Sequence, residues 1–240
     1  MDNLQIFPTT EVLSEQVAAY VAELSAQTIP VRGRFTVALS GGSLPKLLAP
    51  GLIVEPLRDE IDWSAWYIFF ADERCVPLSH PDSSYRLVME EFFSYLDIPA
   101  DQIYAIDPRL APDEAAVAYE QTVRRVFYPE LGRRPRFDLI LLGMGEDGHT
   151  ASLFPDHPLL DETERWVVPI FDSPKPPPQR ITLTLPIINN AANVAFIATG
   201  SGKADILPQV LSSAILPAGR VRPHDGNLRW FVDEAAAANL

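Results

Sequence analysis

A histidine two residues after an aspartate, set among glycines, is the part of this chain best equipped for proton chemistry. The stretch from Phe137 to Pro155 reads Phe-Asp-Leu-Ile-Leu-Leu-Gly-Met-Gly-Glu-Asp-Gly-His-Thr-Ala-Ser-Leu-Phe-Pro. With an ordinary pKa of about 6.5, His149 can take a proton near neutrality. Asp147 stands close enough in sequence to bear on it, and the plainer alternative is a loop histidine that only hydrogen-bonds locally. Cations come next. The chain has 32 acidic against 19 basic residues and a net charge of −13, so an anionic substrate needs a local cluster of basic groups. Arg74 closes Asp72-Glu73-Arg74, and Lys203 lies in Thr199-Gly200-Ser201-Gly202-Lys203-Ala204. Ser40-Gly41-Gly42-Ser43 precedes Leu44-Pro45-Lys46, a glycine turn opening a helix. Backbone N–H groups and the positive end of the helix dipole suit such a turn to phosphate, with the Ser43 hydroxyl as a further donor. The competing readings are a tight turn capped by Ser43 and a self-satisfied ion pair within Asp72-Glu73-Arg74.

Elements must hold these residues in place. Leu139-Ile140-Leu141-Leu142 lacks polar alternation, the mark of a strand buried on both faces of a parallel sheet. Further strands are expected at 4–7, 34–40, 66–71, 166–170, 180–185, 193–198 and 228–232. Helices are expected from Thr9 or Thr10 to about Gln27, from Asp82–Ser84 to about Tyr95, and from Pro112 or Asp113 to about Phe127. A helix after Lys203 should reach about Ser212, and a short one should begin at Asp233 or Glu234. Strand and helix alternate, and glycine-rich turns follow three of the strands. The spacing predicts a three-layer, doubly wound, mostly parallel α/β sheet with helices on both faces, a single domain over residues 1–240. Ligands in such folds sit beyond the carboxyl ends of the strands, where His149 would stand.

Several other chemistries fail on spacing. Gly143-Met144-Gly145-Glu146-Asp147-Gly148 matches the dinucleotide glycine pattern, but Pro155 and Pro158 arrive too soon for the helix that pattern needs. A nucleophile elbow fails because Pro45 stands where its last glycine belongs. The Lys203 turn departs from a P-loop, with Ile197 at the first glycine and Ala204 at the metal-binding hydroxyl. There is no H-E-x-x-H, and His149 and His157 are too far apart for one helical turn. No metal or other cofactor is expected. Cys75 is alone, so no intrachain disulfide forms. No apolar run reaches the roughly 18 residues of a membrane span, and Met1-Asp2-Asn3-Leu4 does not begin like an export signal. The acidic surface repels nucleic acid and anionic membrane. A cytoplasmic protein is expected. Lys175, in Pro174-Lys175-Pro176-Pro177-Pro178, reads best as a solvated charge.

Taken in order, these motifs resemble the 6-phosphogluconolactonase family, within the group that includes glucosamine-6-phosphate deaminases. The resemblance runs nearly end to end, and Asp172 through Arg180 is characteristic of the lactonase branch. The deaminases carry a Glu five positions after the loop histidine. Here that position is Phe154, in Leu153-Phe154-Pro155. They also lack the arginine found at Arg74. The resemblance implies hydrolysis of 6-phosphogluconolactone in the pentose phosphate pathway, with a deaminase or isomerase as the main alternative and a sugar-phosphate-binding regulatory domain as a lesser one. It implies His149 as general base and later as proton donor to the ring oxygen. Asp147 either orients the imidazole or holds the loop, and Asp72 acts at substrate hydroxyls. The phosphate would fall to the N–H groups of Gly41 and Gly42, to Ser43, Arg74 and Lys203, and Arg180 would reach phosphate or carbonyl. The only partner implied is the small phosphorylated lactone, with the chain a monomer or weak homodimer.

Overall fold

The computed structural model describes residues 3–127 and 133–240; Met1 and Asp2, part of the stretch read for an export signal, lie outside them. The chain runs β1 (Leu4–Phe7), α1 (Thr10–Arg32), β2 (Phe35–Leu39), α2 (Leu44–Leu52), α3 (Leu57–Glu60), β3 (Trp66–Phe70) and β4 (Asp72–Arg74). It continues through α4 (Ser84–Glu91), α5 (Pro112–Val126), β5 (Leu139–Gly143), β6 (Val167–Ile170), β7 (Arg180–Leu183), α6 (Leu185–Ile188), β8 (Asn193–Ala198), α7 (Leu207–Ser212) and β9 (Asn227–Asp233). Six strands form one parallel sheet in the order β1-β9-β8-β5-β2-β3.

Side chains alternate across each strand, so β5 feeds two cores at once. Leu139 and Leu141 pack with Leu13, Val17 and Val21 of α1 and Leu48 of α2. Ile140 and Leu142 face the other way, toward Ala115, Tyr119 and Val123 of α5 and Ile181 and Leu183 of β7. That is why an uninterrupted apolar run was needed at 139–142. The strand order reverses between β2 and β5: from β2 the chain steps outward to β3, and from β5 it proceeds to β8 and β9 on the other side. Loops leaving two adjacent strands in opposite directions open a crevice at their carboxyl ends.

The expected architecture is present, with four local corrections. Asp72–Arg74 is not the tail of β3 but a strand of its own, antiparallel to β7, which pairs in turn with β6 in a three-stranded second sheet. Helix α1 runs past Gln27 to Arg32 and stops at Gly33, whose φ of 70° ends it in the left-handed region. Helix α4 ends at Glu91 and a 3-10 turn takes over at Phe93–Tyr95. No helix forms after β9; the Asp233 carboxylate instead accepts from the N–H groups of Gly200 and Ala236, turning the chain back. No helix among the described residues is long and apolar enough to cross a membrane.

Candidate active site

The crevice between β2 and β5 is a cleft of about 150 Å³. Its walls include Gly41, Gly42, Ser43, Asp72, Arg74, His149, Arg180 and Lys203. Eight of the nine residues singled out in the sequence therefore meet in one place. The ninth, Asp147, stands behind the imidazole.

The loop after β5 closes on itself. Gly145 N–H donates to the His149 carbonyl (2.8 Å), Gly148 N–H to the Gly145 carbonyl (3.0 Å), and Thr150 Oγ1 back to the Gly143 carbonyl (2.9 Å). A Cβ at Gly145 would fall on the His149 ring and on Asp147 Oδ1, so only glycine lets the loop wrap the pair. Asp147 Oδ1 accepts from His149 Nδ1. That bond selects the tautomer and leaves Nε2, which has no partner among the described residues, with its lone pair free. The Phe154 ring lies 4.8 Å from the imidazole, centroid to centroid. Burial pushes the His149 pKa below its ordinary value against the opposing pull of Asp147, which favours the neutral ring. Burial alone would raise Asp147, but its bonds to His149 and the charge of Lys175 bring it below the usual carboxylate value.

The opposite wall is built to receive an anion. The N–H groups of Gly41, Gly42 and Ser43 donate to nothing among the described residues, and α2 begins directly behind them. Ser43 makes no capping bond through its hydroxyl, which removes the plain capped-turn reading. Arg74 Nη1 donates to the Asp82 carbonyl (2.8 Å), while its buried Nε finds no acceptor. The buried hydroxyls of Ser40 and Ser84 are equally unpartnered. A Cβ on Gly41 would strike Ser84 Oγ, so that serine lies against the same turn. Lys203 reaches in from the 3-10 turn Ser201–Lys203 after β8, and burial draws its pKa down. Idle donors and cations converging on one turn fit a phosphoryl group.

The second sheet carries the third wall. Its register sets Arg74 opposite Arg180 and Asp72 opposite Thr182. Buried Asp72 accepts from Ser152 Oγ (2.6 Å), which also receives Arg180 Nη1 (3.3 Å). The other Arg180 bonds go to the proline-rich segment: Nη2 to the carbonyls of Lys175 (2.8 Å) and Pro176 (3.2 Å), Nε to that of Pro177 (3.0 Å). A guanidinium has five N–H donors, which leaves Arg180 one for anything in the cleft. Burial and the nearby Arg74 both lower its pKa. Glu73, between the two, is buried and accepts from the N–H groups of Arg74 (2.7 Å), Ser84 (2.8 Å) and Tyr85 (2.8 Å), so the ion-pair reading of this triplet does not hold.

Two residues escaped the sequence. Lys175 is not merely solvated; its Nζ comes to 3.4 Å from His149 Nδ1 and 3.7 Å from Asp147 Oδ1. Ser152 carried no signal beyond its closeness to His149. Among the described residues no group of three His, Cys, Asp or Glu side chains is arranged to hold a metal ion.

The structure is thus an α/β protein whose parallel sheet carries an Asp-anchored imidazole and a cluster of unpartnered donors and cations at its switch point. Residues 8–230 match the model of the family described as glucosamine-6-phosphate isomerases/6-phosphogluconolactonase, and the chain belongs to that family. It is 46% identical over 243 residues to the human 6-phosphogluconolactonase, covering 99% of this chain and 93% of that one. The solved 6-phosphogluconolactonase from Trypanosoma brucei superposes with a TM-score of 0.87 at 30% identity, over 99% of this chain and 98% of that chain. A monomeric glucosamine-6-phosphate deaminase shares the fold, with a TM-score of 0.78 at 20% identity over 99% of this chain and all of that one (100%).

Proposed function

We propose that this chain hydrolyses 6-phospho-D-glucono-1,5-lactone to 6-phosphogluconate, the ring-opening step of the oxidative pentose phosphate pathway, with His149 as general base. One observation carries the reading: His149, an Asp-anchored imidazole whose Nε2 has no partner among the described residues, lines the same cleft as Gly41–Ser43, Arg74 and Lys203. Water, set between Nε2 and the lactone carbonyl, gives its proton to the imidazole as its oxygen bonds to the carbonyl carbon. The carbonyl electrons move onto oxygen and return as the bond to the ring oxygen breaks. The imidazolium then gives its proton to that leaving oxygen, restoring the neutral base. Asp147 fixes the ring and stabilises its charge while it lasts.

The phosphate is held by the amides of Gly41, Gly42 and Ser43, by the Ser43 hydroxyl, and by Arg74 and Lys203. Anchoring at that end converts an encounter into a positioned reaction at the other. Asp72, which accepts from Ser152 Oγ, acts at the sugar hydroxyls. Arg180 contributes through its one uncommitted N–H and chiefly by shaping the wall. Phe154 supplies an apolar ring where amine release calls for a carboxylate, which favours the lactone over glucosamine 6-phosphate.

The test follows lactone disappearance against its spontaneous hydrolysis, with glucosamine 6-phosphate and ammonia detection in parallel. The wild-type chain should open the lactone and release no ammonia. His149→Ala should lose about 10²–10⁴-fold in kcat with KM little changed. Ammonia release without lactone turnover, or undiminished kcat in the variant, would overturn the assignment.

A further inference from the structure

The proline-rich segment between β6 and β7 is a strap that reaches two residues of the cleft wall, Arg180 and His149, and it is tied down along its length. Arg180 gathers the carbonyls of Lys175, Pro176 and Pro177. Ser173 Oγ donates to the Lys175 carbonyl (2.8 Å) and accepts from Lys175 N–H (3.3 Å). At the strap's start, Asp172 receives His157 Nε2 (3.1 Å), whose Nδ1 accepts from Leu159 N–H. A segment fixed at both ends and along its carbonyls aims its single cationic side chain toward the Asp147–His149 pair. That side chain is Lys175, 3.4 Å from His149 Nδ1 and 3.7 Å from Asp147 Oδ1.

We propose that Lys175 is a positioning residue of the proton-transfer pair: delivered by the strap, its ammonium offsets the pull of the Asp147 carboxylate and keeps the imidazole neutral. This rests on the assignment of His149 as base. An Asp–His pair alone has a drawback as a base at neutral pH, because the carboxylate favours the imidazolium and so favours a ring already protonated before water arrives. A cation on the Nδ1 side counters that without blocking Nε2. The charged groups facing the imidazole are Asp147 from its own loop, Lys175 from the strap and, farther off, Asp72 from β4. Two carboxylates therefore act against one ammonium, and burial adds to the ammonium's side. Lys203 is not among the charges that act on the imidazole; it is itself influenced by Glu146, Lys175 and Asp147.

The scale follows from distance. Two unit charges about 4 Å apart with water around them interact by roughly the equivalent of half to one pH unit. The experiment titrates the His149 ring by NMR in the full-length chain, and records kcat/KM against pH, for wild type, Lys175→Met, Lys175→Gln and Lys175→Arg. The Met and Gln variants should raise the imidazole midpoint by about half to one unit. Their acid limb should move with it, so that turnover falls about three- to tenfold below the limb and recovers above it. Lys175→Arg should restore both. A midpoint that stays put in Met and Gln variants, or that moves equally in the Arg variant, overturns the proposal. A midpoint that moves while the acid limb does not would uphold the Lys175 effect and instead overturn His149 as the base.

Discussion

Removing the Glu73 carboxylate should cost this fold more than any charge on its surface. The side chain is 1% exposed and accepts three backbone N–H groups, from Arg74, Ser84 and Tyr85, plus the Ser83 hydroxyl at 3.2 Å. In Glu73→Ala those three amides lose their acceptor in a buried site, at about 1–3 kcal/mol each. Part of this is returned. Burial raises the Glu73 pKa beyond what the three amides hold down, so the ionised carboxylate is itself disfavoured where it sits. The low end of the range, about 3 kcal/mol, is therefore expected. For a chain of this length that lowers Tm by about 6–12 °C. Glu73→Gln keeps an acceptor oxygen and should lose about half as much. Two of these amides, those of Ser84 and Tyr85, open α4, and the Asp82 carbonyl just before it holds Arg74. KM for the phosphorylated lactone should thus rise in both variants while kcat changes less. Thermal unfolding and steady-state kinetics on the two proteins supply the measurement. A Glu73→Ala chain melting within about 2 °C of wild type, with unaltered KM, would show that the carboxylate anchors neither the helix nor the arginine.

Two other outcomes follow from the cleft. Arg74→Ala and Lys203→Ala should each raise KM by about 10- to 100-fold for the phosphorylated lactone, the worth of one charge-assisted contact, and far less for its unphosphorylated counterpart; equal effects on both substrates would remove these side chains from the anion pocket. Because burial lowers the His149 pKa, its neutral form persists to lower pH than free imidazole, so kcat/KM should hold steady above neutrality and fall only as pH drops through a midpoint below about 6.5. A midpoint above 7 would contradict the buried, neutral ring.

Local pattern carried much of this protein into view. The run Leu139–Leu142 announced a strand buried on both sides because both of its faces must meet apolar neighbours, and each does. Glycine turns at the ends of β2, β5 and β8 marked the cleft because their special backbone is a short-range property. Asp147 and His149 lie two apart, so their bond needs only the loop that Gly145 permits. Helix ends were less legible: α1 overran its expected stop because nothing before Gly33 closes it.

Residues far apart in sequence are another matter. The pairing of β4 with β7 joins positions more than a hundred residues apart, and no periodicity in three residues betrays it. That pairing decides that Arg180 serves the strap, and the strap decides that Lys175 meets His149 across 26 residues. Glu73 likewise finds its acceptor role only when α4 arrives to offer its amides. The chain's own order of residues thus settled which groups could take a proton or hold a phosphate, since those abilities reside in side-chain chemistry and adjacent backbone. Which charge faces which was left to packing, because an electrostatic contact depends on distance in space, and only the folded sheets set that distance.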